Sequence, residues 1–132
     1  MKRRQFVTSI AAGLGVAALP GQLRASAAAG PLRLLILGGT GFIGPHQVRY
    51  ALERGHSVSI FTRGQTEPTL FRDAFDHVEQ LVGDRADNLD ALRGRTWDVV
   101  IDNSGQRVEW ARNSAQLLKD STPHYLFVSS TG

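Results

Sequence analysis

The sequence of 132 residues predicts an α/β fold: a doubly wound parallel sheet of five strands with helices on both faces. Three observations carry that prediction. From Pro31 onward, short apolar, β-rich runs alternate with helix-like stretches. The first run passes into its helix through a glycine-rich turn, and a crossover segment separates each run from the next, as parallel pairing requires.

The first run, LRLLILG (32–38), is almost continuously apolar, the pattern of a strand buried on both faces. GGTGFIG (Gly38 to Gly44) turns the chain. HQVRYALERG (46–55) follows as a helix with Val48, Ala51 and Leu52 on one face and Gly55 as its stop signal. Pro45 suits the first helical turn, where a missing N–H costs nothing. HSVSIFT (56–62) reads as the second strand, and 63–75 as a loop with at most a short helical turn. DHVEQLVGD (76–84) contains the third strand, and NLDALRG (88–94) reads as a short helix closed by Gly94. WDVVIDNSG (97–105) is a fourth strand running into polar residues. RVEWARNSAQLLKD (107–120) is a helix with Val108, Ala111, Ala115 and Leu118 on one face, and HYLFVSS (124–130) is the fifth strand.

Cysteine is absent, so neither a disulfide framework nor a thiolate metal site can form. His46, His56, His77 and His124 lack metal-ligand spacing, and no metal is expected. Trp97 and Trp110 are expected to pack against the sheet. Four of the fifteen basic residues (Lys2, Arg3, Arg4, Arg24) and none of the twelve acidic ones fall in residues 1–30, leaving eleven against twelve. The body therefore has no global field for nucleic acid, which is not an expected partner.

Residues 1–29 have the three-part layout of a secretory signal: a basic start, an apolar stretch from Phe6 to Leu19, then small residues. The apolar stretch is weakened by Gly13 and Gly15 and falls short of the roughly 20 strongly apolar residues that span a bilayer. Arg3-Arg4-Gln5-Phe6 resembles the twin-arginine motif, with Lys2 where Ser or Thr is commoner. Ala25–Ala27 or Ala27–Ala29 suits a signal peptidase. The resemblance implies export of a folded protein to the periplasm or beyond, which suits an enzyme that takes up a soluble cofactor first. The competing reading is an unprocessed N-terminal extension.

At a strand-to-helix turn, residues without Cβ let the backbone approach a diphosphate, and the helix behind offers free N–H groups and its positive dipole end. The competing reading is a tight turn without a ligand. The spacing here is G-x-x-G-x-x-G (Gly38, Gly41, Gly44). ILGGTGFIG, with ERGHSVSIFTRG and VGDRAD at their respective distances, resembles the extended short-chain dehydrogenase/reductase family over residues 32–132. That family includes NAD(P)-dependent epimerases and dehydratases.

The resemblance implies a Rossmann-type domain over 31–132, with cofactor contacts from Gly38, Thr40, Gly41, Phe42, Ile43 and Gly44. NAD-dependent members carry an acidic residue at the end of the second strand. Here Thr62 and Arg63 stand in its place. A hydroxyl and a guanidinium suit a 2′-phosphate, so NADP is expected ahead of NAD. Asp84 falls where the family places an aspartate that holds the adenine amino group, although Gly-Asp also reads as a turn. Arg85 is expected to add a backbone contact. Ser104 ends the fourth strand beside the nicotinamide ribose; Asp102 and Asn103 before it are more polar than the family pattern.

In the family's reaction a tyrosine, aided by a lysine four residues on, takes a hydroxyl proton while a hydride moves to or from nicotinamide. A Ser or Thr at the end of the fifth strand holds the reacting oxygen. By the resemblance this is Ser130 or Thr131, with Ser130 favoured; a strand-end capping hydroxyl is the structural alternative. No Tyr-x-x-x-Lys pair occurs: Tyr50 and Tyr125 are followed four residues on by Arg54 and Ser129, and the lysines are Lys2 and Lys119. The expectation is the N-terminal part of a longer oxidoreductase or epimerase/dehydratase. A sugar-like or other hydroxyl/carbonyl substrate would be held by a C-terminal lobe beyond Gly132. The competing expectation is a non-catalytic dinucleotide-sensing or RNA-associated protein of the same fold.

Overall fold

The computed structural model describes residues 30–129. The expected signal segment, Ser130 and Thr131 lie outside the described residues. Five strands form one sheet: β1 (Arg33–Leu37), β2 (Ser57–Thr62), β3 (Glu79–Val82), β4 (Val99–Asp102) and β5 (His124–Phe127). All pairings are parallel and the spatial order is β3-β2-β1-β4-β5. The doubly wound expectation is thereby met. The chain runs one way from β1 to β3, then returns to β4 on the other side, so the strand order reverses between β1 and β4. A crevice at the carboxyl ends beside such a reversal is where open α/β sheets bind ligands. Register aligns those ends: Leu37 sits opposite Phe61 on one side and Asp102 on the other.

Strand alternation sorts the core into two layers. Leu34 and Ile36 of β1 with Val58 and Ile60 of β2 face α1 (Gly44–Glu53), meeting Val48, Ala51 and Phe75. Leu35, Leu37, Phe61, Leu81 and Val100 face the other way, against Leu92, Trp97 and Leu118 of α2 (Val108–Leu118). Each such side chain, fully buried, contributes about 1.5–3 kcal/mol of transfer free energy.

Helix α1 begins at Gly44, two residues before the apolar pattern, with Pro45 inside its first turn. It ends in a Schellman arrangement: Gly55 at φ 80° donates to the Leu52 carbonyl (2.9 Å), and His56 N–H donates to that of Ala51 (3.0 Å). The stretch 63–75, expected as a loop with at most a short helical turn, ends in a 3-10 turn at Arg72–His77, entered through Phe71 at φ 52°. Arg49 lies 4.4 Å above the Phe71 ring and His46 meets it edge-on at 5.2 Å, holding a conformation that a non-glycine residue rarely adopts.

Two expectations need correction. The stretch 88–94 is not a helix of its full length but a three-residue 3-10 turn, Asp90–Leu92, pinned by Arg93–Asp90 pairing. The buried positions of α2 are Ser114 and Leu118, while Val108 is 69% exposed. The first turn of α2 stands at the cleft end, beyond the apolar layer. Ser114, small and fully buried, occupies the position against the sheet that the apolar pattern assigned elsewhere. Among the described residues no helix is long and apolar enough to cross a membrane.

Candidate functional site

A cleft of about 200 Å3 opens at the carboxyl edge of the sheet. Gly38 and Thr40 after β1, Thr62 at the end of β2 and Arg63 next to it, Asp84 and Arg85 after β3, and Ser104 after β4 all line it. Phe61, Gln65, Thr66, Gly83, Gln106 and Trp110 complete the wall. Seven residues singled out in the sequence, from Gly38 to Ser104, thus share one cleft because parallel pairing brings four strand ends together. Gly41, Phe42, Ile43 and Gly44 carry the chain from Thr40 into α1 and do not line the cleft wall itself.

The glycines of the loop have different physical duties. Gly38 sits at φ 82°, and a Cβ there would lie 2.8 Å from Ser104 Cβ, so β1 and the β4 loop touch at that point. A Cβ on Gly44 would collide with the Gly39 backbone, its Cα at 2.8 Å. Gly41 differs: a Cβ there would meet nothing nearer than the Gly38 carbonyl at 3.9 Å. The adjoining end of α1 is bare. Ile43 at the N-cap offers no side-chain bond, and no acidic residue occupies the first turn. The N–H groups of Phe42, Ile43 and Gly44 donate to no acceptor among the described residues. Phe42 projects into solvent, 94% exposed.

At the end of β2, Thr62 Oγ1 accepts the Gly64 N–H (3.1 Å), which fixes the turn and leaves the hydroxyl proton free to donate. Arg63 is exposed. Asp84 serves its turn: Oδ1 accepts the Ala86 N–H at 2.8 Å, and its backbone bridges Asn88. Its second carboxylate oxygen makes no hydrogen bond among the described residues. Trp110, expected to pack on the sheet like Trp97, instead stands in the first turn of α2 as part of the cleft wall.

Beneath the cleft lies a polar network that sequence reasoning missed. Arg85 and Asp102, both buried, form a bidentate pair: Nη1 to Oδ1 at 2.7 Å and Nη2 to Oδ2 at 2.8 Å. Arg85 Nη1 also donates to Ser104 Oγ (2.8 Å), and the Ser104 N–H donates to Asp102 Oδ1 (3.1 Å). From β5, the Tyr125 hydroxyl donates to Asp102 Oδ2 at 2.6 Å. Burial alone would raise the Asp102 carboxyl, but the bonds from Arg85, Tyr125 and Ser104 hold it below its ordinary value. Burial first, and then the Asp102 charge, push the Tyr125 hydroxyl well above its ordinary value. Beside this, Gln47 of α1 and Asn103 exchange amide hydrogen bonds at 3.3 and 2.5 Å. The signal for this network was an acid closing the apolar run VVID: a buried carboxylate requires a cationic partner. The Arg85 guanidinium is thus committed to Asp102 and Ser104.

The chain matches the model of the NAD dependent epimerase/dehydratase family over residues 34–121. It is 31% identical to the chloroplast stem-loop binding protein of 41 kDa b of Arabidopsis thaliana over 112 residues, 76% of this chain and 29% of that protein. Vestitone reductase from alfalfa shares its fold at a TM-score of 0.59 with 20% identity, over 74% of this chain and 36% of the reductase. The Bordetella bronchiseptica enzyme WbmG, solved in complex with NAD and UDP, does so at 0.56 with 17% identity, over 74% and 37%. The chain therefore spans about a third of the length of these relatives. With its glycine turn and carboxyl-edge cleft both inside the matched span, the chain belongs to the NAD dependent epimerase/dehydratase family.

Proposed function

We propose that this chain forms the cofactor-binding part of an exported, NADP-preferring reductase or epimerase/dehydratase acting on a sugar-like or other hydroxyl/carbonyl substrate. Family membership supports a nicotinamide dinucleotide as the cofactor, and the residues fit one. The open space before Gly41 and the bare N-terminus of α1 suit a diphosphate, which neither tolerates a nearby carboxylate nor needs a side-chain cap. When bound, nicotinamide supplies or accepts the hydride. The protein's part is to bind and orient: Gly38 to Gly44 at the diphosphate, Asp84 and Arg85 at the adenine end, Ser104 beside the nicotinamide ribose. Ser130 or Thr131 would hold the reacting oxygen. The tyrosine–lysine pair and the substrate lobe must come from outside residues 1–132.

The single observation that carries NADP preference is the end of β2. Thr62 and Arg63 line the cleft and no carboxylate stands there to repel a 2′-phosphate. Titration of the full chain with NADPH and NADH, read by nucleotide fluorescence, tests it. Tighter NADPH binding is expected; tighter NADH binding would overturn the preference, and binding of neither would overturn the dinucleotide reading. Export is tested by fusing residues 1–30 to a folded reporter: the fusion should leave the cytoplasm, and retention there rejects the leader.

The second reading, an RNA-associated protein, is favoured by the 31% identity to a protein named for stem-loop binding. Against it stands the near-neutral body, with eleven basic and twelve acidic residues beyond position 30. A stem-loop RNA that shifts this chain at moderate salt, with no dinucleotide bound, would replace the first reading by the second.

A further inference from the structure

The buried Arg85–Asp102 pair spans the sheet. Arg85 follows β3 and Asp102 ends β4, with β2 and β1 lying between those strands. Stability alone explains such a pair poorly, since two desolvated charges rarely outperform apolar side chains of similar volume. What the pair does geometrically is specific. Through Asp102 Oδ1 it binds the Ser104 N–H, and through Arg85 Nη1 it binds the Ser104 hydroxyl, so one residue of the β4 loop is held at both ends. That residue is the one pressed against Gly38, the first glycine of the diphosphate turn. The partners also keep the charge of Asp102 compensated beside a cleft, lined by Arg85 and Ser104, that is read as an anion site.

We propose that Arg85, Asp102 and Tyr125 act together as positioning residues for the dinucleotide, clamping Ser104 against Gly38 and cancelling the carboxylate charge beneath the cleft. This rests on the dinucleotide reading above. Asp102 is the centre: it binds two donors from Arg85, one from Tyr125 and one from Ser104. Neither Arg85, Asp102 nor Tyr125 needs to touch the cofactor through its side chain. Their effect passes through the placement of the Ser104 loop.

The test separates positioning from folding. In the full chain, Arg85→Met combined with Asp102→Leu removes both charges together and strands neither; the Tyr125 hydroxyl and Ser104 lose partners but are only partly buried, so thermal stability should fall far less than in either single variant. NADPH affinity should nevertheless fall roughly tenfold, the equivalent of about 1.4 kcal/mol. Amide hydrogen exchange of Ser104 to Gln106 in the ligand-free chain should accelerate by a similar factor. Parental affinity in this double variant would show that the pair is structural only and overturn the proposal. Tyr125→Phe, which deletes one hydrogen bond and no volume, guards against a double variant that does not fold. It should weaken NADPH about threefold, and unchanged affinity with unchanged exchange overturns the proposal in the same way. If the parent binds neither NADPH nor NADH, the dinucleotide reading fails and takes this role with it. Exchange at Ser104 then still reports whether the clamp itself holds, so the two failures are distinguishable.

Discussion

Alanine at Gly41 and alanine at Gly44 should have opposite consequences, although the two glycines lie three residues apart in one turn. Gly41 lies outside the left-handed region, and a Cβ built there finds only the Gly38 carbonyl at 3.9 Å, an ordinary contact. Gly41→Ala therefore adds no clash, and it stiffens the unfolded chain, a gain of about 0.5 kcal/mol. That corresponds to a melting temperature raised by roughly 2–4 °C in a domain of this size. The new methyl, however, occupies the open space before the bare N-terminus of α1, so dinucleotide affinity should fall at least roughly tenfold. Gly44→Ala drives its Cβ into the Gly39 backbone, which has no rotamer to yield. Overpacking of that kind costs roughly 3 kcal/mol and should lower the melting temperature by more than about 10 °C. Differential scanning fluorimetry and NADPH titration on the two variants decide the matter. A Gly41→Ala protein that is destabilised, or that binds NADPH as the parent does, refutes the assignment of the open space to a ligand.

Three other outcomes follow from the same geometry. Arg63→Ala should weaken NADPH roughly tenfold or more, the worth of a charge-assisted bond, while leaving NADH within about twofold; parallel titrations check this. The Asp102 carboxyl is held below its ordinary 3.8, so its contribution is complete above about pH 5 and fades as pH falls through the lower folded value. Tyr125 is raised above its ordinary 10.0, so its contribution is complete below about pH 9 and is lost as pH rises through the folded value. Urea midpoints measured from pH 2 to 11 should show both limbs, with Tyr125→Phe abolishing the alkaline one. Finally, Trp110 lines the cleft while Trp97 lies in the core, so NADPH should quench tryptophan emission in the parent and far less in Trp110→Phe.

The strands were legible because their apolar runs are compact: LRLLILG (32–38) and HSVSIFT (56–62) lie within a residue of their observed spans, and WDVVIDNSG (97–105) contains β4 but overruns it by two residues before and three after. The glycine turn was legible because steric demands leave residue-level marks, as Gly38 and Gly44 show. Helix α2 was less so. Its sheet-facing side carries Ser114, a polar residue chosen for size, and exposes Val108, so a count of apolar positions rotates the face. The 3-10 turn at Arg72–His77 is entered through Phe71, held by Arg49 and His46 of α1, a tertiary contact that no local pattern encodes. The least legible feature was the floor of the cleft. Asp102 pairs with Arg85 at a separation of 17 residues and with Tyr125 at 23, and nothing in the local pattern around any of the three points to the other two.

That floor also constrains how the sequence can drift. Losing either member of a buried ion pair strands the other and costs about 3–5 kcal/mol, a large share of the roughly 5–15 kcal/mol that holds a domain folded. Losing both at once leaves no unpaired charge and costs less. A lineage carrying Gly83-Asp84-Arg85 together with Asp102-Asn103-Ser104 is therefore locked by epistasis: each single step away crosses a valley, and the two sites change hands as one heritable unit. Arg85 and Asp102, 17 positions apart, should therefore be replaced together in descent, as a single two-letter word.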